Sequence, residues 1–306
     1  MVVIRTRELA GIGQTQEMRA RLERSGELFR VRHGAFADEA PTEMAERHLL
    51  LVLGTAPVLA PGTVLSHASA GVVHGLPSWE AMLGRVTVLR RTPGHGSRRR
   101  NLHVRCTPVV DSEVTQVDGL TVTTIERTAA DLACLLPYER AVVVMDAALH
   151  AGADSGVLER TVVEGRGRHG ISTARAALAF ADGRSESVGE SLSRVRLAAA
   201  GLVRPQLQLN VFDEEGNWLA RTDFGWEQQG VLGEFDGRIK YVGTAEEVAQ
   251  AVMQEKRREA RLREAGWVVV RWTWADLADP AALRRRIESA FRQARPELIR
   301  GHLEVV

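Results

Sequence analysis

Three acids stand in the C-terminal third of the chain where an apolar strand should not carry them. Asp223 interrupts the run Leu219-Ala220-Arg221-Thr222 and Phe224-Gly225-Trp226, while Glu234 and Asp236 close the run Val231-Leu232-Gly233. Strand side chains alternate with period two, so Glu234 and Asp236 are expected on one face, and an antiparallel neighbour would bring Asp223 beside them. Clustered carboxylates repel one another and lose hydration on burial, a cost that a bound cation relieves. Every candidate donor is an oxygen, which points to Mg²⁺ or Mn²⁺. Lys240 follows Asp236 by four residues, past the turn that Gly237 permits. A lysine there would balance charge developing on a phosphate, and a divalent ion would supply a Lewis acid and a more acidic bound water. Glu190 adds a carboxylate from the first turn of a preceding helix, where the helix dipole favours it. A competing expectation stands beside this one: EFDGRIK at 234–240 also has the composition of an ordinary surface turn.

The elements that must position these groups can be read from periodicity. A helix is expected over 189–200, strands over 206–212, 218–226 and 231–235 with turns between them, a long helix over 245–265, a strand over 267–272 and a helix over 280–294. This is an α-β-β-β-α-β order, three meandering strands enclosed by helices with a further strand added late.

The first 40 residues read differently. A short helix over 5–10, a turn at 11–13, a helix over 14–24 and a β-ribbon over 27–36 together have the shape of a winged helix-turn-helix. In that arrangement Arg19, Arg21 and Arg24 lie on the recognition helix, and Arg30 and Arg32 on the wing. The same pattern also suits a small α/β element with solvated arginines. Residues 41–153 alternate helices (42–53, 66–75, 125–135, 139–150) with strands (85–90, 102–107, 120–123). Residues 85–105 hold seven arginines and no acid, with Pro93, Gly94 and Gly96 in the middle, so Arg98, Arg99 and Arg100 form a candidate phosphate-contacting loop. Residues 154–184, helical and rich in Gly, Ala and Arg, are expected to connect two folded halves.

Composition bounds these readings. The chain has 306 residues, about two domains' worth, with 40 Lys+Arg against 39 Asp+Glu. Nucleic-acid affinity must therefore come from local patches. No run approaches the ~18 apolar residues of a membrane span, and the N-terminus lacks a hydrophobic signal core, so a soluble, cytoplasmic protein without membrane partners is expected. Cys106 and Cys134 have no CxxC partner, which argues against a sulfur-bound metal. Lys240 and Lys256 are the only lysines. His67 and His74, seven apart, read as structural rather than as a ligand pair. Trp218, Trp226, Trp267, Trp272 and Trp274 read as core more than as base-stacking platforms. Ser66 reads as a helix cap, and the absence of a P-loop excludes an ATP motor.

Two resemblances join these strands of argument. The segment from Glu190 to Leu277, with GESLSRVRLAAAGL, RTDFGW, GEFDGRIKY and EKRREARLREAGWVVVRWTWADL, resembles the restriction-endonuclease-like PD-(D/E)XK superfamily, in the branch similar to very-short-patch-repair endonucleases. FRVRHGAFA, VLSHASAGVVHGLP and VDGLTVTTIERTAADLA resemble the AbiEi-type antitoxin family with its winged helix. Together they imply an α/β multidomain chain: a winged helix-turn-helix over 1–40, an AbiEi-like α/β domain over 41–153, a connector over 154–184 and a nuclease-like mixed sheet flanked by helices over 185–306. The resemblance implies that Asp223 and Glu234 ligate metal in a phosphodiesterase site and that Glu190 assists from its helix. Asp236 stands where the superfamily has its lysine, so Lys240 or Lys256 would have to supply that charge. The implied activity is a Mg²⁺- or Mn²⁺-dependent DNA endonuclease of defence, including phage defence, or repair. The alternative is a non-catalytic antitoxin or repressor that keeps an inactive nuclease fold. DNA is the expected partner, with a homodimer and a toxin or defence-system protein as further candidates.

Overall fold

The computed structural model describes residues 2–11, 13–91, 94–237 and 245–306, and the chain divides into two compact units, Met1–Ala179 and Phe180–Val306. Both mix helices with sheets.

The first unit opens with β1 (Val3–Arg5), α1 (Thr6–Gly11), α2 (Gln16–Ser25), β2 (Phe29–Arg32) and β3 (Ala35–Ala37). Thr15 starts α2 by accepting the Met18 N–H on its hydroxyl, and Gly26 ends it in the left-handed conformation. The strands form an antiparallel sheet in the order β1-β3-β2 over a small core of Leu9, Leu28 and Phe36. Helix α3 (Met44–Thr55), begun by a Glu43–Glu46 capping box, packs on this sheet. It also shares a core with the next one through Val52, Leu65, Val88 and Val122.

That second sheet contains β4 (Thr63–Leu65), β5 (Val86–Arg90), β6 (Ser97–Arg98), β7 (Leu102–Arg105), β8 (Val114–Val117) and β9 (Leu120–Thr123), in the order β6-β7-β5-β4-β9-β8. Helix α4 (His67–Val73) follows β4, and α5 (Ile125–Ala133), α6 (Tyr138–His150), α7 (Ser155–Glu164) and α8 (Ile171–Phe180) follow β9. Helix α5 packs against both α6 and α7. Its Arg127 is buried, with Nε on both oxygens of buried Asp131 at 3.0 Å, Nη1 on Glu113 at 2.5 Å and Nη2 on the Pro108 carbonyl at 3.1 Å.

Two boundaries differ from the sequence expectation. Residues 1–40 are not set apart, because α3 ties them to the following sheet within one unit. The expected connector is divided: α7 buries Leu158, Thr161 and Val162, α8 buries Ala174 and Ala177, and the first unit runs through Ala179.

The second unit comprises α9 (Val188–Ala199), β10 (Gln206–Phe212), β11 (Trp218–Trp226), β12 (Val231–Asp236), α10 (Ala245–Glu264), β13 (Val268–Thr273), α11 (Trp274–Leu277), α12 (Pro280–Gln293) and β14 (His302–Val305). The sheet order is β13-β12-β11-β10-β14. Strands β12 and β13 are parallel and the other pairs antiparallel, as a helical crossover between β12 and β13 requires. One core contains Phe224, Trp226 and Trp272 with Leu197 of α9 and Leu283 and Ile287 of α12. Another contains Ala220, Leu232 and Trp267 with Leu262 of α10. The expected α-β-β-β-α-β order is present. Strand β14, absent from that expectation, extends the sheet beside β10. No helix among the described residues is long and apolar enough to cross a membrane.

Candidate carboxylate site and basic cleft

The β11–β12 register pairs Phe224 with Gly233, which sets Asp223 opposite Glu234 on one face of the sheet. Asp223 is half-buried, and its Oδ2 accepts the Phe235 backbone N–H at 2.8 Å. Burial pushes its carboxyl up to about 7; the Phe235 N–H opposes this, and the carboxylates of Glu190, Glu234 and Glu186 add to it. Its Oδ1 accepts no hydrogen bond among the described residues.

Glu190 reaches this group from the first turn of α9. Ser187 caps the helix by accepting the Glu190 N–H at 3.1 Å, and its hydroxyl donates to Glu190 Oε1 at 2.6 Å. Oε2 accepts the Glu186 N–H at 2.9 Å and Gln208 Nε2 at 2.8 Å. Gln208 lies opposite Asp223 in the β10–β11 register, is buried, and has a φ of 52°. The alternation Gln206-Leu207-Gln208-Leu209 carries no signal that singles Gln208 out from Gln206. Its burial, its positive φ and its bond to Glu190 separate it from exposed Gln206.

Glu234 is held by two arginines that sequence reasoning missed. Arg258 of α10 donates from Nη1 to Oε1 at 2.6 Å and from Nη2 to Oε2 at 2.8 Å, and Arg271 of β13 donates from Nε to Oε2 at 2.8 Å. Glu255 joins both guanidiniums and Glu259 contacts Arg271 at 3.3 Å. These carboxylates hold both arginines protonated against the opposing effect of burial. The clue available in sequence was weak: Arg258 sits in the charged helix run EKRREAR, which has the look of a solvated face.

The remaining predicted residues are placed unevenly. Asp236 ends β12 and is exposed, Lys256 is exposed on α10, and Lys240 lies outside the described residues. Among the described residues no three His, Cys, Asp or Glu side chains are grouped as metal ligands. By chemistry the donors still suit a hard divalent ion, because Mg²⁺ is commonly bound through one or two carboxylates with phosphate and water oxygens completing its shell. Asp223, crowded by acids and with an open oxygen, is the donor that fits best.

The first unit brings together basic residues far apart in sequence. Arg30, Arg32, Arg47 and Arg100 line a cleft of about 490 Å³. Arg30 is also paired with Glu23 of α2 through Nε at 2.9 Å and Nη2 at 2.8 Å, and Arg32 Nη1 donates to the Gly54 carbonyl at 3.1 Å. These two therefore pin the ribbon to its neighbouring helices as well as facing the cleft. Arg19 Nη1 donates to the Gln14 carbonyl at 2.7 Å and Arg24 Nε to Ala20 at 3.2 Å, while Arg21 is exposed. Arg98, Arg99 and Arg100 are all exposed, and Arg98 Nε lies 3.3 Å from His103 Nε2.

The two histidines read as structural have structural partners, whereas the tryptophans read as core divide. His74 Nε2 lies 2.7 Å from the Thr123 carbonyl, and His67 Nδ1 lies 3.0 Å from Ser66 Oγ. Trp226 and Trp272 are core residues, whereas Trp218 and Trp274 are exposed. Trp274 meets the Phe235 ring edge-on at 4.9 Å.

The sequence matches no family model. Two proteins of Mycobacterium tuberculosis, "Uncharacterized protein MT2308" and "Uncharacterized protein Rv2248", are each 30% identical over 279 residues, covering 89% of this chain and 95% of theirs.

Proposed function

The chain belongs to the family of these two mycobacterial proteins, and we propose that it is a DNA-binding protein whose second unit hydrolyses DNA phosphodiester bonds with Mg²⁺ or Mn²⁺. The observation that carries this reading is Asp223 opposite Glu234 with its carboxyl pushed up to about 7, because a half-buried acid ringed by Glu190, Glu234 and Glu186 is a place where a divalent cation is favoured. The helix-and-sheet order of this unit supports the restriction-endonuclease-like reading. In the first unit, β1-α1-α2-β2-β3 with sheet order β1-β3-β2 supports the winged-helix reading.

Asp223 and Glu234 are assigned as the metal-holding carboxylates. The ion would supply Lewis acidity at the phosphate and a more acidic water. Glu190, locked by Ser187 and Gln208, orients the strand ends and raises the negative potential at Asp223. Arg258 and Arg271 take the place of a lysine as the fixed positive charge beside Glu234. Arg30, Arg32, Arg47 and Arg100 supply phosphate-binding charge in the first unit.

The second reading, a non-catalytic regulator, is favoured by the double arginine clamp on Glu234, which satisfies that acid without a metal. Supercoiled plasmid with Mg²⁺ or Mn²⁺ separates the two. The nuclease reading expects nicking by the wild type and none by Asp223→Asn; retention of DNA by both proteins with no nicking by either would establish the regulator reading.

A further inference from the structure

The cleft of the first unit has a composition that a duplex backbone alone does not call for. Four guanidiniums line it, and no carboxylate does. Arg30 and Arg32 are already engaged by Glu23 and Gly54, but the side chains of Arg47 and Arg100 have no hydrogen bond or ion pair among the described residues. They are therefore the two charges free to take a ligand's anionic group. The rest of the lining combines an apolar group, Phe29, Val31, Met44, Leu51 and Leu83, with the polar side chains of His33 and Asn101. Met44 is also exposed, a side chain that gains by being covered.

We propose that this cleft binds one nucleotide unit, its phosphate between Arg47 and Arg100 and its base on the apolar lining near Phe29 and Met44. Three features support it together. A volume of about 490 Å³ is in the range of small-molecule sites and far too small for a duplex. Arg47 and Arg100 line the same cleft, and a phosphate is an anion that guanidiniums recognise well, by paired charge-assisted hydrogen bonds. A base is the planar, largely apolar group that aromatic and thioether side chains accept irrespective of sequence. The site draws on β2, α3 and the turn between β6 and β7, so an occupant would bridge the N-terminal ribbon and the six-stranded sheet of the same unit.

This deepens the reading of the first unit as the nucleic-acid-binding part and rests on it. The nucleotide has two sources, a free nucleotide or a nucleotide within a single strand. Titration of the full chain with adenosine monophosphate, inorganic phosphate, a short oligothymidylate and duplex DNA distinguishes them. Adenosine monophosphate is expected to bind at least about ten-fold more tightly than inorganic phosphate, because the base adds apolar burial. Arg47→Ala and Arg100→Ala, both at exposed positions, should each weaken it about ten-fold or more. Met44→Ala should weaken adenosine monophosphate while leaving phosphate unchanged. If the oligothymidylate alone shows this dependence, the source is a single strand and the site stands. Adenosine monophosphate and oligothymidylate binding no tighter than phosphate, or untouched by the arginine substitutions in variants with native circular dichroism, overturns it. Retained duplex binding in that case leaves the DNA-binding reading intact, and loss of all four ligands removes both.

Discussion

Asp223 and Phe235 are tied across the β11–β12 pair, the carboxylate Oδ2 taking the Phe235 N–H at 2.8 Å. The residue on one side of that N–H is Glu234 and the ring beyond it lies against α9 and Trp274, so a single hydrogen bond connects the acid to the strand end and to the helix that carries Glu190. Asp223 is thereby fixed in orientation while its charge is disfavoured.

The pH dependence of stability follows directly. The folded-state carboxyl of Asp223 titrates at about 7 against an ordinary value of 3.8, so between roughly pH 4 and pH 7 the folded state holds a proton that the unfolded state releases. Stability is therefore lost as pH rises through that window, by at most ~4 kcal/mol from this group. Urea unfolding of the wild type against Asp223→Asn should show this slope as the difference between them. Above about pH 7, Mg²⁺ should restore stability to the wild type and leave the variant unchanged. Equal slopes in the two proteins would mean that Asp223 is better hydrated than its position indicates.

A steric prediction concerns Gly189. A Cβ there would lie 1.9 Å from Cε1 of Phe235, so Gly189→Ala must displace the ring although alanine is the better helix former. The expected result is a loss of roughly 1–3 kcal/mol together with disturbed metal binding, because Phe235 lies between Glu234 and Asp236. Chemical denaturation and a Mn²⁺ titration check it; a variant as stable as the wild type, with unchanged Mn²⁺ affinity, would show that the helix shifts freely.

Much of the second unit was legible in the sequence, because β10, β11 and β12 are long enough for alternation to show and the intruding acids mark their own strands. What escaped was whatever depends on register or on short strands. Strands β4 and β8 have three and four residues, too few for a pattern, and β14 is separated from its partner β10 by most of the unit. Gln208 repeats the polar spacing of Gln206, and its bond to Glu190 depends on how α9 packs on the sheet; Arg271 stands alone as a charge in the strand VVVRWT, but only the parallel β12–β13 register shows that it faces Glu234. In the first unit the arginines of the ribbon and of the loop after β6 were each noticed, but their convergence on one cleft, and Arg47 with them, is a tertiary fact.

Arg127 provides a stability test of the first unit. It is buried and satisfies buried Asp131 together with Glu113 and the Pro108 carbonyl. Arg127→Met keeps most of the volume but leaves Asp131 with Arg168 at 3.2 Å as its remaining arginine partner. Removing one member of a buried ion network typically costs about 3–5 kcal/mol, and the denaturant midpoint should fall accordingly. Adding Asp131→Asn to Arg127→Met should recover part of the loss, since the unpaired acid is then gone. No recovery would locate the cost in the Pro108 and Glu113 contacts.

The arginine clamp on Glu234 separates a metal ligand from a purely structural acid. If Glu234 ligates the cation, then Arg258, which occupies both of its oxygens, competes with the metal for them. Arg258→Ala leaves only Arg271 on Glu234 and should raise Mn²⁺ affinity in the absence of DNA, while lowering stability by roughly 1–2 kcal/mol because the pair is partly exposed. Glu234→Gln should do the opposite to the metal, abolishing the Asp223–Glu234 site while Glu255 and Glu259 still neutralise Arg271. Calorimetric Mn²⁺ titrations of the wild type, Arg258→Ala and Glu234→Gln read the competition directly. An Arg258→Ala protein with wild-type Mn²⁺ affinity, in which Asp223→Asn still abolishes binding, would assign the cation to Asp223 alone and leave Glu234 as the anchor of the clamp.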